Sequence, residues 1–186
     1  ERSRGLGDVY KRQKLYGILE IAATSYGYAV TSYVGQNLGG GLVGRIKQGM
    51  RAATLVALGT SAVIAGAMLL FGNFFLRLFI SGTPEEIDTS MQIAYHYLAI
   101  MSVCLPILYM LHIYRSALMG LGDTVVPMLS GFAEMAVRIA VALFLPMLMG
   151  QEGIFFAEVG AWTAAAILLV AAYFVRIHRL PAGKRE

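Results

Sequence analysis

Long apolar stretches separated by short polar intervals dominate the sequence from residue 15 onward. A helix rises about 1.5 Å per residue and the hydrocarbon core of a bilayer is about 30 Å thick, so about 20 mostly apolar residues suffice to cross it. Five stretches meet that length. The pattern therefore predicts five membrane-spanning helices, at residues 15–34, 52–75, 93–113, 125–148 and 154–175.

Composition and charge support a membrane protein. Of the 186 residues, 58% are hydrophobic and only 14% are charged, whereas soluble domains carry about 25% charged residues. The mean hydropathy is +0.66. The charged residues inside the predicted spans are Glu20, Glu134, Arg138 and Glu158. We therefore predict an all-α, polytopic helical bundle in a lipid bilayer, with no soluble domain.

Several classes of function are not expected from this composition. The net charge is +4, but the basic residues are dispersed beside the ends of the spans, which suits membrane orientation better than nucleic-acid binding. Cys104 is the one cysteine, so an intrachain disulfide and a cysteine metal site are excluded. We predict no nucleic-acid partner, no metal site and no bound cofactor.

Basic residues also set the predicted orientation. Arg45, Lys47 and Arg51 lie between the first and second spans, and Arg115 lies between the third and fourth. Positively charged intervals face the cytoplasm, whereas the alternate intervals here are acidic. We therefore predict an integral protein of a bacterial cell membrane, plasma or inner, whose C-terminal tail, residues 179–186, is cytoplasmic.

The N-terminal residues contradict that charge pattern, because five basic residues there would lie on the outer side. Residues 5–13 also resemble a translated sequencing adapter. We therefore interpret residues 1–13 as a non-native segment and exclude them from fold reasoning. The membrane bundle is assigned to residues 14–178.

Polar residues inside the spans are the candidates for chemistry, because a charge at the bilayer centre costs about 2.5 to 3.5 kcal/mol on insertion scales. Glu134 and Arg138 are four positions apart and share one helix face. They form either part of an ion or proton pathway or a self-contained pair that orients the helix. Glu20, near Tyr26, either lines a hydrated cavity or lies at the interface. Glu158 is interpreted as structural, near a helix N-terminus.

Proline, capping and small residues have structural and functional interpretations. Pro106 interrupts the third span and is either a hinge or a static bend. Asp123 is either a helix N-cap or a cytoplasmic gate contact. Small residues at four-residue spacing favour close helix packing. These pairs are Gly35 and Gly39, Gly40 and Gly44, Ala62 and Gly66, and Ala161 and Ala165.

An ordered set of motifs over residues 15–178 resembles the multidrug and toxic compound extrusion (MATE) transporters. The motifs are Tyr33-Val-Gly-Gln-Asn-Leu-Gly39 before Arg45-Ile46, Tyr97-Leu98 before Pro106, Gly120-Leu-Gly-Asp-Thr124 before Pro127, Glu134 with Arg138, and Ala161-Trp162. That family has twelve helices in two six-helix lobes. The resemblance implies that the five spans are helices 8–12, within a partial C-terminal lobe, and that the N-terminal lobe and helix 7 of the same chain are missing.

The resemblance further implies a secondary active antiporter, not an enzyme, that exports organic cations or other amphipathic compounds in exchange for Na⁺ or H⁺. The acidic cation-site residues of the family lie in the missing segments, so the coupling ion stays open. For a cationic drug, carboxylates and aromatic faces supply attraction. The pathway candidates are Glu134, Arg138, Glu20, Tyr26, Tyr33 and Tyr109. The family-motif residues, structural or gating, are Gly35, Gln36, Asn37, Gly39, Pro106, Gly120, Gly122 and Asp123.

Two alternatives remain open. A related flippase for lipid-linked saccharides shares the two-lobe architecture but needs a more cationic cavity to hold a pyrophosphate, whereas here the arginine inside the spans is offset by Glu134. A membrane subunit that scaffolds partners and transports nothing is the other alternative. An intramembrane enzyme is disfavoured, because the spans show no serine with a base, no histidine pair at helical spacing and no metal-ligand cluster.

Overall fold

The computed structural model describes residues 2–79, 84–149 and 152–180, with side chains over 21–77, 91–92, 94–147 and 156–180. Those residues form five helices and no strand. The helices are α1 (Arg2–Gly39), α2 (Val43–Phe79), α3 (Pro84–Gly120), α4 (Val125–Met149) and α5 (Glu152–Arg179). The predicted all-α class is confirmed for the part of the chain that the structure describes.

Four of these helices are long and apolar enough to cross a membrane. Their candidate spans are Val43–Arg77, Ala94–Gly120, Val125–Met147 and Phe156–Arg179. They correspond to the second to fifth predicted spans and confirm a polytopic membrane bundle. The first predicted span lies within α1, but its residues 15–20 have no described side chains, so it stays a prediction. Most of the predicted tail lies outside the described residues.

Helix α3 lies at the centre of the bundle. It packs against α1, α2 and α5, whereas α4 packs on α5 and touches α3 only sparsely. Half of the α3 span is buried inside the protein, compared with 6% of the α4 span. Most of the largest fully buried side chains come from α3 and α5, among them Tyr109, Leu105, Trp162 and Leu169. Helix α4 is therefore a peripheral helix held mainly by α5.

Two glycine turns join α1 to α2 and α3 to α4 at one end of the bundle, here called the turn end. Gly41 and Gly122 have φ values of 71° and 79°, which favour glycine. In each turn the next residue donates its backbone N–H back into the helix, from Leu42 to Asn37 at 2.8 Å and from Asp123 to Leu118 at 2.9 Å. Both are Schellman ends, so these glycines terminate their helices.

Asp123 lies two residues before α4 and ties the first turn of that helix to α5. Its Oδ1 accepts the backbone N–H of Val126 at 3.2 Å, which is the geometry of an N-cap. Its Oδ2 lies 3.7 Å from Nε of Arg176 on α5. The predicted capping role is present in the structure, together with an ionic contact between the α3–α4 turn and α5.

A close helix approach joins α1 and α3, which run parallel. A Cβ added at Gly120 would lie 2.8 Å from both the carbonyl oxygen of Thr31 and the Cβ of Val34. Thr31 Oγ1 donates to the carbonyl oxygen of Ser116 at 3.1 Å across the same interface. Close packing therefore depends on Gly120 here.

Some of the small-residue pairs predicted from spacing lie at helix contacts, and others do not. Ala161 and Ala165 are fully buried, as close packing requires. In contrast, a Cβ added at Gly39, Gly44 or Gly66 would meet no atom within 4 Å. Spacing alone does not reveal which side of a helix faces a neighbour, so packing was predicted at positions where there is open space.

Candidate functional site

Four charged side chains form a continuous network across α3, α4 and α5. Glu134 of α4 accepts hydrogen bonds from Nη2 of Arg115 on α3 at 2.9 Å and from Nη2 of Arg138 at 3.0 Å. Arg138 then donates from Nε and Nη2 to the two carboxylate oxygens of Glu158 on α5, at 2.8 and 3.1 Å. The charges alternate in the order Arg115, Glu134, Arg138, Glu158. We call this set the four-charge network.

Helical spacing explains how α4 contributes to the network. Ser130, Glu134 and Arg138 are four residues apart and therefore lie on one helix face. Ser130 Oγ also lies 3.4 Å from Nη2 of Arg115, as a weak acceptor. Glu134 is nine residues beyond the start of α4 at Val125, or about 14 Å along the axis. The network is thus deep within the predicted span.

The predicted contact between Glu134 and Arg138 is present, but two members of the network were missed. Arg115 was assigned to an interval between spans because the apolar run ends at residue 113, whereas α3 continues to Gly120. Glu158 was interpreted as a structural carboxylate, but its bidentate pairing with Arg138 was not predicted. The contacts of Arg115 and Glu158 with α4 join different helices, so helical spacing did not predict them.

The network is shielded unevenly and adjoins other α3 side chains. The side chain of Glu134 is 18% exposed and that of Arg138 is 40% exposed. Tyr97 is close enough to Glu158 to interact with its charge, and His112 is close enough to Arg115 to do the same. Because both carboxylates are bonded to arginine, the charges largely compensate one another. Such compensation is what permits four charged groups at this depth.

Two further pathway candidates, Tyr26 and Tyr109, meet between α1 and α3. Their ring centroids are 6.2 Å apart. The hydroxyl of Tyr26 is hydrogen-bonded to Oγ1 of Thr60 on α2 at 2.9 Å. The Tyr109 hydroxyl is fully buried and has no hydrogen-bond partner among the described residues. The structure therefore brings these two tyrosines together in a cluster of hydroxyl groups.

Tyr33 lies elsewhere, in the lining of an open cleft of about 570 Å³ at the turn end. Its hydroxyl donates to the backbone carbonyl of Arg45 at 3.0 Å, and Asn37 Nδ2 donates to the backbone carbonyl of Tyr33 at 2.8 Å. Gln36 and Gln48 complete the lining of the cleft. Tyr33, Gln36 and Asn37 thus shape the α1–α2 turn and are separate from the Tyr26–Tyr109 contact.

Of the other residues singled out from the sequence, Pro106 and Gly35 lie outside both the four-charge network and the Tyr26–Tyr109 contact. The Glu20 side chain lies outside the described residues, so its role stays a prediction. Pro106 lies inside the continuous helix α3. A Cβ added at Gly35 would make an ordinary contact, 3.7 Å from the carbonyl oxygen of Gly120. Among the described residues, no group of three His, Cys, Asp or Glu is placed to hold a metal ion.

Comparison with known proteins supplies independent evidence on this chain. A family model described as MatE matches residues 13–144, which is more than half of the chain. The match includes α1 from residue 13 onward, all of α2 and α3, and the part of α4 that carries Glu134 and Arg138. No curated protein matches the chain.

Proposed function

This chain belongs to the MatE family of transporters, and on that premise we propose that it forms part of a secondary active antiporter. The proposed substrates are organic cations and other amphipathic drugs, exported in exchange for Na⁺ or H⁺. The second wall of the pathway would be an N-terminal lobe of the same protein. We place the turn end and the C-terminus on the cytoplasmic side of a bacterial cell membrane.

The observation that carries this proposal is the position of Glu134 between two arginines. Because α4 has few other contacts with α3, the bond from Glu134 to Arg115 is a principal tie between those helices beyond their turn. A cation that neutralises the carboxylate weakens both of its arginine contacts. Binding of a proton, a sodium ion or a cationic drug at Glu134 would therefore loosen α4 from α3.

Competition for one carboxylate links export to the coupling ion. An antiporter needs a group that binds the two cations alternately, so that one leaves when the other arrives. Glu134 fits that requirement, since its arginine partners keep the site closed when neither cation is bound. Tyr26, which is part-buried on α1, would offer an aromatic face to a drug, whereas Tyr109 is fully buried behind it.

The charge balance of the four-charge network favours export of cations over a lipid-linked saccharide flippase. A pyrophosphate group needs a surplus of positive charge, whereas this network contains two carboxylates and two guanidinium groups. No unbalanced arginine pair is available there among the described residues. If the chain were only a scaffold, these paired charges would have no role beyond holding the helices together.

Dye accumulation in cells expressing the complete transporter tests the proposal. We expect the parent to lower accumulation of a cationic dye and Glu134→Gln to abolish most of that effect. Glu158→Gln should weaken export less, because Arg138 keeps its bond to Glu134 when Glu158 is neutralised. Tyr28→Phe is the matched control, since Tyr28 is 78% exposed on α1 and outside the network.

The outcomes separate the alternatives. Equal export by the parent and Glu134→Gln, at matched amounts in the membrane, would reduce the network to a structural role. A parent that leaves the dye unchanged but moves a lipid-linked saccharide across a bilayer would support the flippase. A parent that moves neither compound would support the scaffold.

A further inference from the structure

Two buried hydroxyl groups on α3 have no hydrogen-bond partner among the residues that the structure describes. Ser102 and Tyr109 are both fully buried, and neither Oγ of Ser102 nor the hydroxyl of Tyr109 is bonded among the described residues. Buried polar groups are nearly always hydrogen-bonded, either to protein or to ordered water. Two such groups on one helix therefore require an explanation.

Helical register places both residues on the same side of α3. They are seven positions apart, which brings them to within about 20° around the helix axis. Tyrosine side chains in helices lean toward the N-terminus, so the Tyr109 ring extends from its own turn toward Ser102. Pro106 lies between them.

Pro106 leaves a third oxygen available at the same level. In a regular helix the backbone N–H of residue 106 would donate to the carbonyl oxygen of Ser102. Proline has no N–H, so that carbonyl loses its usual helical donor. The Ser102 carbonyl, the Ser102 hydroxyl and the Tyr109 hydroxyl are thus three oxygen atoms with unused hydrogen-bonding capacity.

Contacts on either side of Ser102 show that this face is covered by α2, with α1 joining it at Tyr109. Seven residues before Ser102, the hydroxyl of Tyr95 donates to the carbonyl oxygen of Leu69 on α2 at 3.0 Å. Seven residues after it, the Tyr109 ring meets Tyr26 of α1, which is bonded to Thr60 of α2. The Ser102 level therefore lies between two points at which α2 contacts this side of the bundle.

We propose that this interhelical site, formed by Ser102, Pro106 and Tyr109 between α1, α2 and α3, holds ordered water. Water both donates and accepts, so it satisfies a carbonyl oxygen and two hydroxyl groups together. A cation is a poorer occupant, because the three groups named here are neutral and offer no charge to offset its desolvation. Water there also replaces the backbone bond that Pro106 removes from a membrane helix.

Thermal unfolding of four variants of the full chain in lipid nanodiscs tests this site. If the hydroxyl groups are hydrated, Tyr109→Phe and Ser102→Ala should each lower the unfolding temperature by about 2 to 4 °C. The double variant should lose less than the sum, because both side chains share the bound water. Tyr26→Phe, which removes a direct bond to Thr60, calibrates the loss of one paired hydroxyl.

Three other results would contradict the proposed water site. If the site is dry, removing an unpaired hydroxyl should raise the unfolding temperature, and that outcome would overturn the proposal. Additive losses would also contradict it, because they would assign the two hydroxyl groups to separate environments. A parent stabilised by Na⁺ or K⁺, with the effect lost in Ser102→Ala, would identify a cation in place of water.

Radiolytic hydroxyl-radical labelling gives a second readout that does not depend on stability. Radicals form from water where it is bound, so Tyr109 should be oxidised faster than Trp162, which is also buried at 2% exposure. Ser102→Ala should slow labelling of Tyr109 and leave Trp162 unchanged. Equal labelling of Tyr109 in the parent and in Ser102→Ala would contradict the proposed site.

Discussion

Exchanging the two central charges of the network, as Glu134→Arg with Arg138→Glu, is expected to abolish transport and to destabilise the protein. An isolated ion pair would tolerate the exchange, because its two charges merely trade places. In the four-charge network, however, the new arginine faces Arg115 and the new glutamate faces Glu158. Leaving a buried charge without its partner costs roughly 3 to 5 kcal/mol, and like-charge contact adds to that cost.

Exchange of all four charges provides the matched control. Arg115→Glu and Glu158→Arg, added to the central exchange, restore alternating charges along the same path. We expect this quadruple variant to unfold at a higher temperature than the double variant, measured in the same nanodiscs. Recovery of stability and transport by the double variant alone would show that Glu134 and Arg138 act as an independent pair.

Substituting Gly120 with alanine is expected to have the largest effect on folding outside the network. The new Cβ would lie 2.8 Å from the Thr31 carbonyl oxygen and from the Val34 Cβ. Both atoms are close to the α1 backbone, so they move only if the helices separate. Overpacking of this kind costs about 1 to 3 kcal/mol, and separation would also weaken the bond from Thr31 to Ser116.

Gly131→Ala is the matched control for that prediction. A Cβ at Gly131 on α4 would meet no atom within 4 Å, so alanine there costs no packing and gains up to about 1 kcal/mol in helix propensity. Unfolding temperature and the yield of folded protein should fall for Gly120→Ala and stay level or rise for Gly131→Ala. Equal values for the two variants would contradict the close α1–α3 contact.

The membrane spans were predictable because they depend on local properties. An apolar run of sufficient length predicts a helix wherever it occurs, as it did for α2 to α5. The turn after Gly120 could also be predicted from the sequence, since Gly122 favours a helix end and Asp123 next to it favours a helix cap. Span ends were less predictable, because α3 continues past residue 113 through polar residues that favour a helix as well as a loop.

The site could be predicted only in part, because its contacts join different helices. Helical spacing alone indicated the bond between Glu134 and Arg138. Nothing in the linear sequence shows that Arg115 and Glu158 approach the same pair, since those bonds span 19 and 20 residues. The meeting of Tyr26 with Tyr109 depends equally on how α1 packs against α3.

Dye flux in proteoliposomes is the measurement that tests the transport proposal most directly. With the complete transporter reconstituted, imposing a Na⁺ gradient or a proton gradient should drive a cationic dye in the opposite direction. Glu134→Gln should remove that coupled flux, whereas Tyr28→Phe should retain it. Absence of coupled dye movement in the parent under both gradients would contradict the account of this chain as part of a cation-coupled drug exporter.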